Sequence, residues 1–307
     1  VFALRNLPET VKGALFARYS RSAKSLRRLF LDEFLGDLTA HGALAGETST
    51  SSGAGRAEKL YARMLNEYGD DSVAQLGGAH IACEGVSNIL TKALEWGRLM
   101  SYLEQSTRYV PYTDRPDGHW KYHVPAELDG SPLRAQYTEA LDLAFATYAK
   151  WIPAMEDHFR ARYPKADGDS DAVYRAVIRA KALDTLRGLL PAATRSNVGL
   201  FGTGQAFEAL LLRLLAHPLD EVRACGTAML RELREVIPAF LSRVDQPDRG
   251  GRWVEYLSDT RTAFAAAAAR CTQGLEAEAR PEVTLTGFDP EGETKVVAAA
   301  LYACLLY

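Results

Sequence analysis

The part of the chain that says most about the fold is residues 79–109, which read AHIACEGVSNILTKALEWGRLMSYLEQSTRY. Its first segment, Ala79–Val86, predicts a short strand. Ser87 follows with a side chain that is preferred at a helix N-cap. The next residues place apolar side chains at helical spacing, so we predict a helix over Asn88–Gln105 that ends before Pro111. A strand that runs directly into a helix indicates a fold that contains both.

Helical patterns dominate the chain on both sides of this stretch. Residues 41–55 are instead rich in Gly, Ala, Ser and Thr and predict a mobile loop, because they bury too little apolar area to offset their ordering entropy. A second strand is predicted over Glu282–Thr286. The expected class is helix-dominated α+β. The predicted helices are Leu15–Leu38, Arg56–Tyr68, Pro132–Tyr163 with a kink at Pro153, Asp171–Leu190, one ending at Leu215, Leu219–Arg243 and Trp253–Leu275.

Composition excludes several classes of protein. The chain has 307 residues, 47% of them hydrophobic and 24% charged, which is typical of a globular protein. A formal net charge of −3 and a pI near 6.1 exclude a strongly basic surface for nucleic acid. The sequence has no apolar run approaching the roughly 18 residues of a membrane span. The first residues also lack the basic-then-apolar order of a signal peptide.

Cysteine and histidine spacing gives no sign of a disulfide framework or a metal site. The 4 cysteines are widely scattered and form no C-x-x-C pair, which predicts a reducing compartment and a cytoplasmic location. The 6 histidines include no H-E-x-x-H motif. His119 and His123 are four residues apart, but prolines and glycine make their surroundings a loop. We therefore expect no metal.

An internal similarity links the two ends of the chain. Residues 9–17, ETVKGALFA, resemble residues 293–303, ETKVVAAALYA. One hypothesis is a tandem repeat, with a first domain over residues 1–285 and a helix over 286–307 that opens a second, truncated copy. The alternative is chance similarity between two Ala-rich helices. The mass of the natural gene product distinguishes the two.

The densest polar cluster follows the predicted helix of residues 88–105. Arg98, Tyr102 and Ser106 are spaced by four and would share one face of a continuing helix. Glu104 and Arg108 are also four apart and would form an ion pair in the simplest interpretation, a solvated helix end. The functional interpretation is an anion site, because guanidinium groups suit bidentate recognition of phosphate.

A second cluster follows the next helices. Arg187 comes just before a helix end marked by Pro191. Arg213 and His217 are four apart and would share a helix face, although a histidine before Pro218 also suits a helix C-terminus through its dipole. The loop predicted around Gly199–Gly204 is only weakly similar to a phosphate-binding loop, because its G-x-x-G-x-G order is not the dinucleotide fingerprint.

In their order, these motifs resemble those of the flavin-dependent thymidylate synthases. That family carries an Arg-His-Arg triplet, seven residues, a serine and then Arg-Tyr. The resemblance extends from about residue 60 to residue 238 and implies the family's helix-rich α+β fold with a small central β-sheet. The matching segments are Trp96-Gly97-Arg98, Ser106, Arg108-Tyr109, the upstream Gly69-Asp70-Asp71-Ser72, Arg187-x-x-Leu190-Pro191 and Arg213-x-x-x-His217-x-x-x-Glu221.

The resemblance also implies roles for these residues. Glu104, Ser106 and Arg108 would hold deoxyuridylate (dUMP), and Arg187 would reach its phosphate, if necessary from a neighbouring subunit of a homotetramer. Arg213 would face the pyrimidine and stabilise negative charge that develops on it. The family reaction makes dTMP with a methylene from methylene-tetrahydrofolate and a hydride from reduced FAD, which NADPH replenishes. The residues that would contact FAD are Arg98 and His217.

Three departures from the family pattern fall on the flavin side. Trp96 and Gly97 replace the first Arg and the His of the triplet, and Asp70 replaces the upstream His. Each lost charge-assisted hydrogen bond would remove roughly 1.5–3 kcal/mol of cofactor binding. The alternative function is therefore a non-catalytic nucleotide-binding or scaffolding relative that has lost flavin. A third interpretation is an unrelated helical interaction protein whose arginines only solvate helix ends.

Overall fold

A computed structural model describes residues 9–20, 22–35, 74–276, 283–285 and 287–304, together with positions 2, 4 and 7. The loop predicted over residues 41–55, the helix predicted over 56–68 and the motif match at 69–72 lie outside the described residues. The chain divides into two compact units, Val1–Thr260 and Arg261–Tyr307. The repeat boundary at residues 285/286 stays a prediction.

The described elements are mostly helical, as the sequence predicts. Both segments of the internal similarity fall within or largely within helices, the first and last of the series. In chain order the elements are α1 (Glu9–Tyr19), α2 (Leu26–Glu33), β1 (Gly78–Ser87), α3 (Asn88–Leu94), β2 (Met100–Glu104), α4 (Leu133–Arg162), α5 (Asp171–Leu186), β3 (Arg195–Thr203), α6 (Gly204–Leu215), α7 (Asp220–Val236), α8 (Gly250–Cys271) and α9 (Gly292–Cys304).

The strands form one antiparallel three-stranded sheet in the order β1-β3-β2. The strand predicted at 79–86 is confirmed as β1. The central strand, β3, alternates strictly between buried and exposed side chains. Val198 and Leu200 lie on its buried face, opposite Glu104 and Tyr102 of β2. One face of the sheet therefore packs on the core and the other is open.

The first unit has two apolar clusters. The larger lies under the buried face of the sheet, where Phe207 of α6 and Leu233 of α7 are fully or almost fully buried together with Phe240. The smaller lies between α4 and α5 and includes Phe145 and Leu183. These contacts confirm the long helices predicted at 132–163 and, as far as Leu186, at 171–190. Helix α4 continues through Pro153.

The helix predicted over Asn88–Gln105 is wrong beyond its first two turns. Helix α3 ends at Leu94, and the residues from Met100 to Glu104 form β2. Leu103 of this strand is 80% exposed on the open face of the sheet. The reason is tertiary, because β3 offers a backbone partner along the whole of β2. Local apolar spacing carries no information about that partner.

Three further predictions, of a helix, a turn and a strand, are wrong. The helix predicted over Leu15–Leu38 is interrupted, because α1 ends at Tyr19 and the Ser25 side chain caps a new helix by accepting from the Arg28 amide. The turn predicted at 199–204 is strand β3 followed at once by α6. Residues 283–285 form no strand, while residues 282 and 286 lie outside the described set.

The glycines near the end of β3 serve packing. A Cβ on Gly202 would lie 2.6 Å from the Met100 side chain, and one on Gly204 would lie 2.6 Å from Cβ of Phe240. The sheet and the Phe240 segment can approach only because these side chains are absent. The phosphate-loop interpretation of residues 199–204 is therefore wrong.

Glu221 attaches the junction between β1 and α3 to helix α7. Its carboxylate accepts from the Ser87 amide at 2.8 Å and from the Ser87 hydroxyl at 2.6 Å. The same hydroxyl oxygen accepts from the Leu90 amide at 3.1 Å, which confirms Ser87 as the predicted N-cap. The last residue of the Arg213-x-x-x-His217-x-x-x-Glu221 motif thus makes a structural contact.

We predict that Glu221→Gln lowers the free energy of unfolding by about 1–3 kcal/mol, because a neutral amide offers one acceptor where the carboxylate offers two charged ones. Urea denaturation measures the change. Glu232→Gln is the matched control, since Glu232 is 60% exposed and pairs with the neighbouring Arg231. It should change stability by less than about 0.5 kcal/mol. Equal midpoints for the two variants would contradict the prediction.

Candidate functional site

Four of the predicted site residues line one groove. Glu104, Ser106, Arg108 and Arg187 surround an open cavity of about 1000 Å³. The groove lies where the first turn of α3, the end of β2 and the end of α5 come together. Arg187 reaches it within the same chain, although it is 79 positions from Arg108. Neither strand nor helix periodicity indicates this proximity.

A tight turn after β2 presents Ser106 and Arg108 to the groove. The backbone carbonyl of Ser106 accepts from the amides of Tyr109 and Val110 at 3.2 and 3.1 Å. Its hydroxyl accepts from the Arg108 amide at 3.3 Å. The Arg108 guanidinium lies 5.5 Å from the centroid of the Tyr109 ring and is exposed. The turn therefore uses its own backbone amides internally and leaves the Ser106 hydroxyl and the exposed Arg108 guanidinium at the cavity.

The charged groups of the groove are partly paired with one another or with neighbours. Arg187 contacts Asp184 at 3.0 Å, and both side chains are 48% exposed. Lys92 donates to Glu104 at 3.0 Å and to Glu95 at 2.8 Å. The hydrogen bond to Glu95 raises the pKa of Lys92, Glu104 adds to this effect, and burial opposes it. Arg108 and Arg187 are available to an incoming anion, since Arg108 is exposed and the Arg187–Asp184 pair is exposed and weak.

Sequence reasoning missed four polar residues of the groove. Helix α3 contributes Asn88 and Lys92, and the segment after β2 contributes Gln105 and Thr107. Asn88 and Lys92 are four residues apart in a predicted helix, so their common face was readable in the sequence. The sequence did not indicate which part of the molecule that helix face points to. That direction depends on the backbone bond from Asn88 to the Thr194 carbonyl, at 2.9 Å.

Arg213 lies away from the lining of the groove, beside Tyr102 and Gly97. Tyr102 is two residues before Glu104 on the same face of β2, a separation of about 7 Å along a strand. The Tyr102 hydroxyl donates to the Gly97 carbonyl at 2.7 Å. Burial lowers the pKa of the Arg213 guanidinium, and the nearby Tyr102 opposes this shift. No carboxylate among the described residues pairs with Arg213.

Arg98 and His217 are not where helical spacing predicted. Arg98 is exposed in the turn between α3 and β2, so it does not share a helix face with Tyr102 and Ser106. His217 lies beyond the end of α6, because the residue before Pro218 is disfavoured in a helix. Its Nδ1 accepts from the Leu219 amide at 3.2 Å. The common helix face predicted for Arg213 and His217 is therefore wrong.

Gly97 has no space for a side chain. A Cβ built there would lie 2.8 Å from the Tyr102 hydroxyl oxygen and 3.5 Å from the Arg213 guanidinium. The neighbouring Trp96 side chain, in contrast, is 76% exposed. The chain thus has a tyrosine hydroxyl against the position where the Arg-His-Arg pattern has its histidine.

The described part of the chain has neither a metal-binding cluster nor a membrane-spanning helix. Within it, no group of three or more His, Cys, Asp or Glu side chains is arranged to hold a metal ion. Across the same residues, no helix combines the length and the apolar character needed to cross a membrane.

Comparison with known proteins gives a consistent family. The family model described as thymidylate synthase complementing protein matches residues 21–239, more than half of the chain. A UPF0159 protein of Chlamydia pneumoniae is 39% identical over 304 residues, which cover 98% of this chain and 57% of the relative. The chain therefore spans less than two thirds of that relative's length.

Two further relatives carry functional names. A flavin-dependent thymidylate synthase of Mycobacterium sp. (strain JLS) is 31% identical over 185 residues, covering 59% of this chain and 68% of the relative. The structure of thymidylate synthase X from Helicobacter pylori with FAD and dUMP aligns at 13% identity with a TM-score of 0.49, over 77% of this chain and 95% of that one. A structural likeness that distant adds no support of its own.

We predict that Gly97→Ala lowers the free energy of unfolding by about 1 kcal/mol, because the added methyl group displaces the Tyr102 hydroxyl from the Gly97 carbonyl. Tyr102→Phe should have a similar cost. The double variant should be less destabilised than the sum, since removing the hydroxyl also removes the clash. Urea denaturation measures all three.

Gly188→Ala is the control for the added methyl group, because a Cβ there meets nothing within 4 Å. It should leave the urea midpoint unchanged. Additive losses at Gly97 and Tyr102 would show that the two positions are independent.

Proposed function

Because the chain belongs to the thymidylate synthase complementing protein family, we propose that it is a flavin-dependent thymidylate synthase that binds dUMP in the groove. The proposed reaction is the reductive methylation of dUMP to dTMP with methylene-tetrahydrofolate, FAD and NADPH. The observation that carries the proposal is the meeting of Arg108 and Arg187 with Ser106 at one cavity. Guanidinium and hydroxyl donors together suit a phosphate dianion.

Arg213 supports the chemical step of this proposal. A half-buried guanidinium without a described carboxylate partner is costly to the fold, so its presence favours a functional role. In the proposed reaction, Arg213 faces the pyrimidine and stabilises negative charge as it develops on the ring. Such preorganised charge is among the largest contributions an enzyme makes to rate.

The side chains of Arg98 and His217 fit a flavin dinucleotide in part. Among the described residues, no carboxylate pairs with the exposed Arg98, which leaves its guanidinium for a pyrophosphate. Nδ1 of His217 accepts from a backbone amide, so the proton of the neutral ring lies on Nε2. When bound, FAD supplies the hydride. Arg98 and His217 are the residues proposed to hold it.

A specific observation favours a second candidate, a nucleotide-binding relative without flavin. The Tyr102 hydroxyl occupies the space that any side chain at position 97 would need. That contact leaves no room for an imidazole at position 97, where this chain has glycine. If the remaining cations are too few to hold a dinucleotide, the groove still binds dUMP and no methylation follows.

The assembly of the whole protein is also a proposal. Family sites form between chains of a homotetramer, and a tandem repeat would supply the same neighbours within one chain. The greater length of the Chlamydia pneumoniae relative is compatible with the second arrangement. The mass and oligomeric state of the natural gene product distinguish the two.

We predict that Arg108→Met and Arg187→Met each weaken dUMP binding roughly 10- to 100-fold, the loss expected for one charge-assisted contact to phosphate. Isothermal titration with dUMP and with deoxyuridine measures the effect. Affinity for deoxyuridine, which has no phosphate, should change less than about twofold. Arg160→Met is the control, because Arg160 pairs with Glu156 and Asp157 on the exposed side of α4. Equal losses for both ligands would contradict a phosphate role.

We predict that Arg213→Met lowers tritium release from C5-labelled dUMP at least roughly 100-fold, as loss of an electrostatic catalytic group does. The urea midpoint should be maintained or raised, since the substitution removes a half-buried charge that has no carboxylate partner among the described residues. Absorbance between roughly 370 and 450 nm, where bound flavins absorb, shows whether FAD is present. Colourless wild-type protein that binds dUMP without tritium release would favour the second candidate.

A further inference from the structure

The groove contains a carboxylate among its cations. Glu104 lines the same cavity as Arg108 and Arg187, at the end of β2. An anionic ligand that enters this cavity meets the two guanidinium groups and also a negative charge. Two negative charges in one cavity repel each other strongly enough to weaken ligand binding, even in a partly solvated site. The carboxylate therefore has to be compensated before the groove can favour an anion.

Lys92 supplies that compensation from α3. Its ammonium donates to Oε2 of Glu104 at 3.0 Å and also lines the cavity. Twelve residues separate the pair along the chain, and the turn between α3 and β2 brings them together. The ammonium also donates to Glu95 at 2.8 Å, next to the end of α3. It thus bridges one carboxylate that lines the groove and one that does not.

We propose that Lys92 is a positioning residue that neutralises and orients Glu104, so that the groove accepts the phosphate of a nucleotide. This inference rests on the dUMP-binding groove proposed above and deepens it. In the free protein Lys92 holds the Glu104 carboxylate towards α3. When dUMP binds, Arg108 and Arg187 hold the phosphate and Lys92 continues to shield it from Glu104.

Because Lys92 is exposed, its effect on ligand binding can be measured separately from its effect on the stability of the fold. The Lys92 side chain is 66% exposed, and exposed ion pairs of this kind contribute little to folding. Substituting Lys92 should therefore leave the protein folded and alter the electrostatic field of the groove. A direct contact from Lys92 to the phosphate is the competing explanation. It predicts the same loss in the single variant and a different result when Glu104 is also changed.

The experiment is a double-mutant cycle on the full chain, measured by isothermal titration with dUMP and with inorganic pyrophosphate. Lys92→Met should weaken dUMP binding roughly tenfold, while Lys92→Arg should stay within about threefold of the wild type. In the Glu104→Gln background, Lys92→Met should change affinity less than about twofold, because no carboxylate is left to compensate. In the Glu95→Gln background the tenfold loss should persist.

Lys150→Met is the matched control for removing one positive charge, since Lys150 is an exposed residue of α4 outside the groove lining. It should leave affinity unchanged. A tenfold loss for Lys92→Met that persists in the Glu104→Gln background would overturn the inference in favour of direct contact. No loss in the single variant would overturn it outright. Wild-type protein that binds pyrophosphate and rejects dUMP would refute the proposed function, and the cycle read with pyrophosphate would still decide the role of Lys92. Binding of neither ligand would refute both.

Discussion

The backbone pairing along β3 is the constraint on which the groove depends. Residues 194–198 hold two segments that are far apart in the sequence. The Thr194 carbonyl accepts from the Asn88 amide, and the Asn197 carbonyl accepts from the Gln105 amide. Glu104 then pairs with Val198 in the ladder between β2 and β3. Arg187 directly follows α5 and lies a few residues before residues 194–198 in the chain. The start of α3 and the end of β2 are thus held at one end of the sheet, around the start of β3, by backbone hydrogen bonds that involve no site side chain.

The cations around the start of β3 fall into two groups that differ in burial and pairing. Lys92 and Arg187 are exposed and paired with Glu104 and Asp184, and such pairs contribute little to folding. Arg213 is half-buried, its pKa is lowered by burial, and it has no described carboxylate partner. The fold retains that unfavourable charge directly beside Tyr102, one side-chain row from Glu104. A folded state that carries a cost at a single arginine is typical of a site organised for a developing negative charge.

Particular residues show how far local patterns reached. Ser87 was predicted as an N-cap from its type and position, and the structure confirms it, because capping depends on the backbone amides of the next few residues alone. Glu104, Ser106 and Arg108 were grouped correctly because they are close in sequence, although the helix that was to group them is a strand and a turn. His217 was misplaced by the same helical spacing, since the effect of Pro218 on the preceding residue outweighs it. Asn88 and Lys92 were missed because their helix face has meaning only once β3 gives it a direction.

Amino-acid order alone determined the class of the fold, the start of α3, the long helices α4 and α5, and the segments that carry the proposed phosphate-binding residues. These features follow from apolar spacing, capping side chains and prolines, all of which act within a few residues. Tertiary structure alone decided that residues 100–104 extend as a strand, that Arg187 meets Arg108, and that Tyr102 fills the space beside Gly97. Each of these depends on a partner far along the chain, and long-range pairing is selected by the packing of the whole core, which no local pattern encodes.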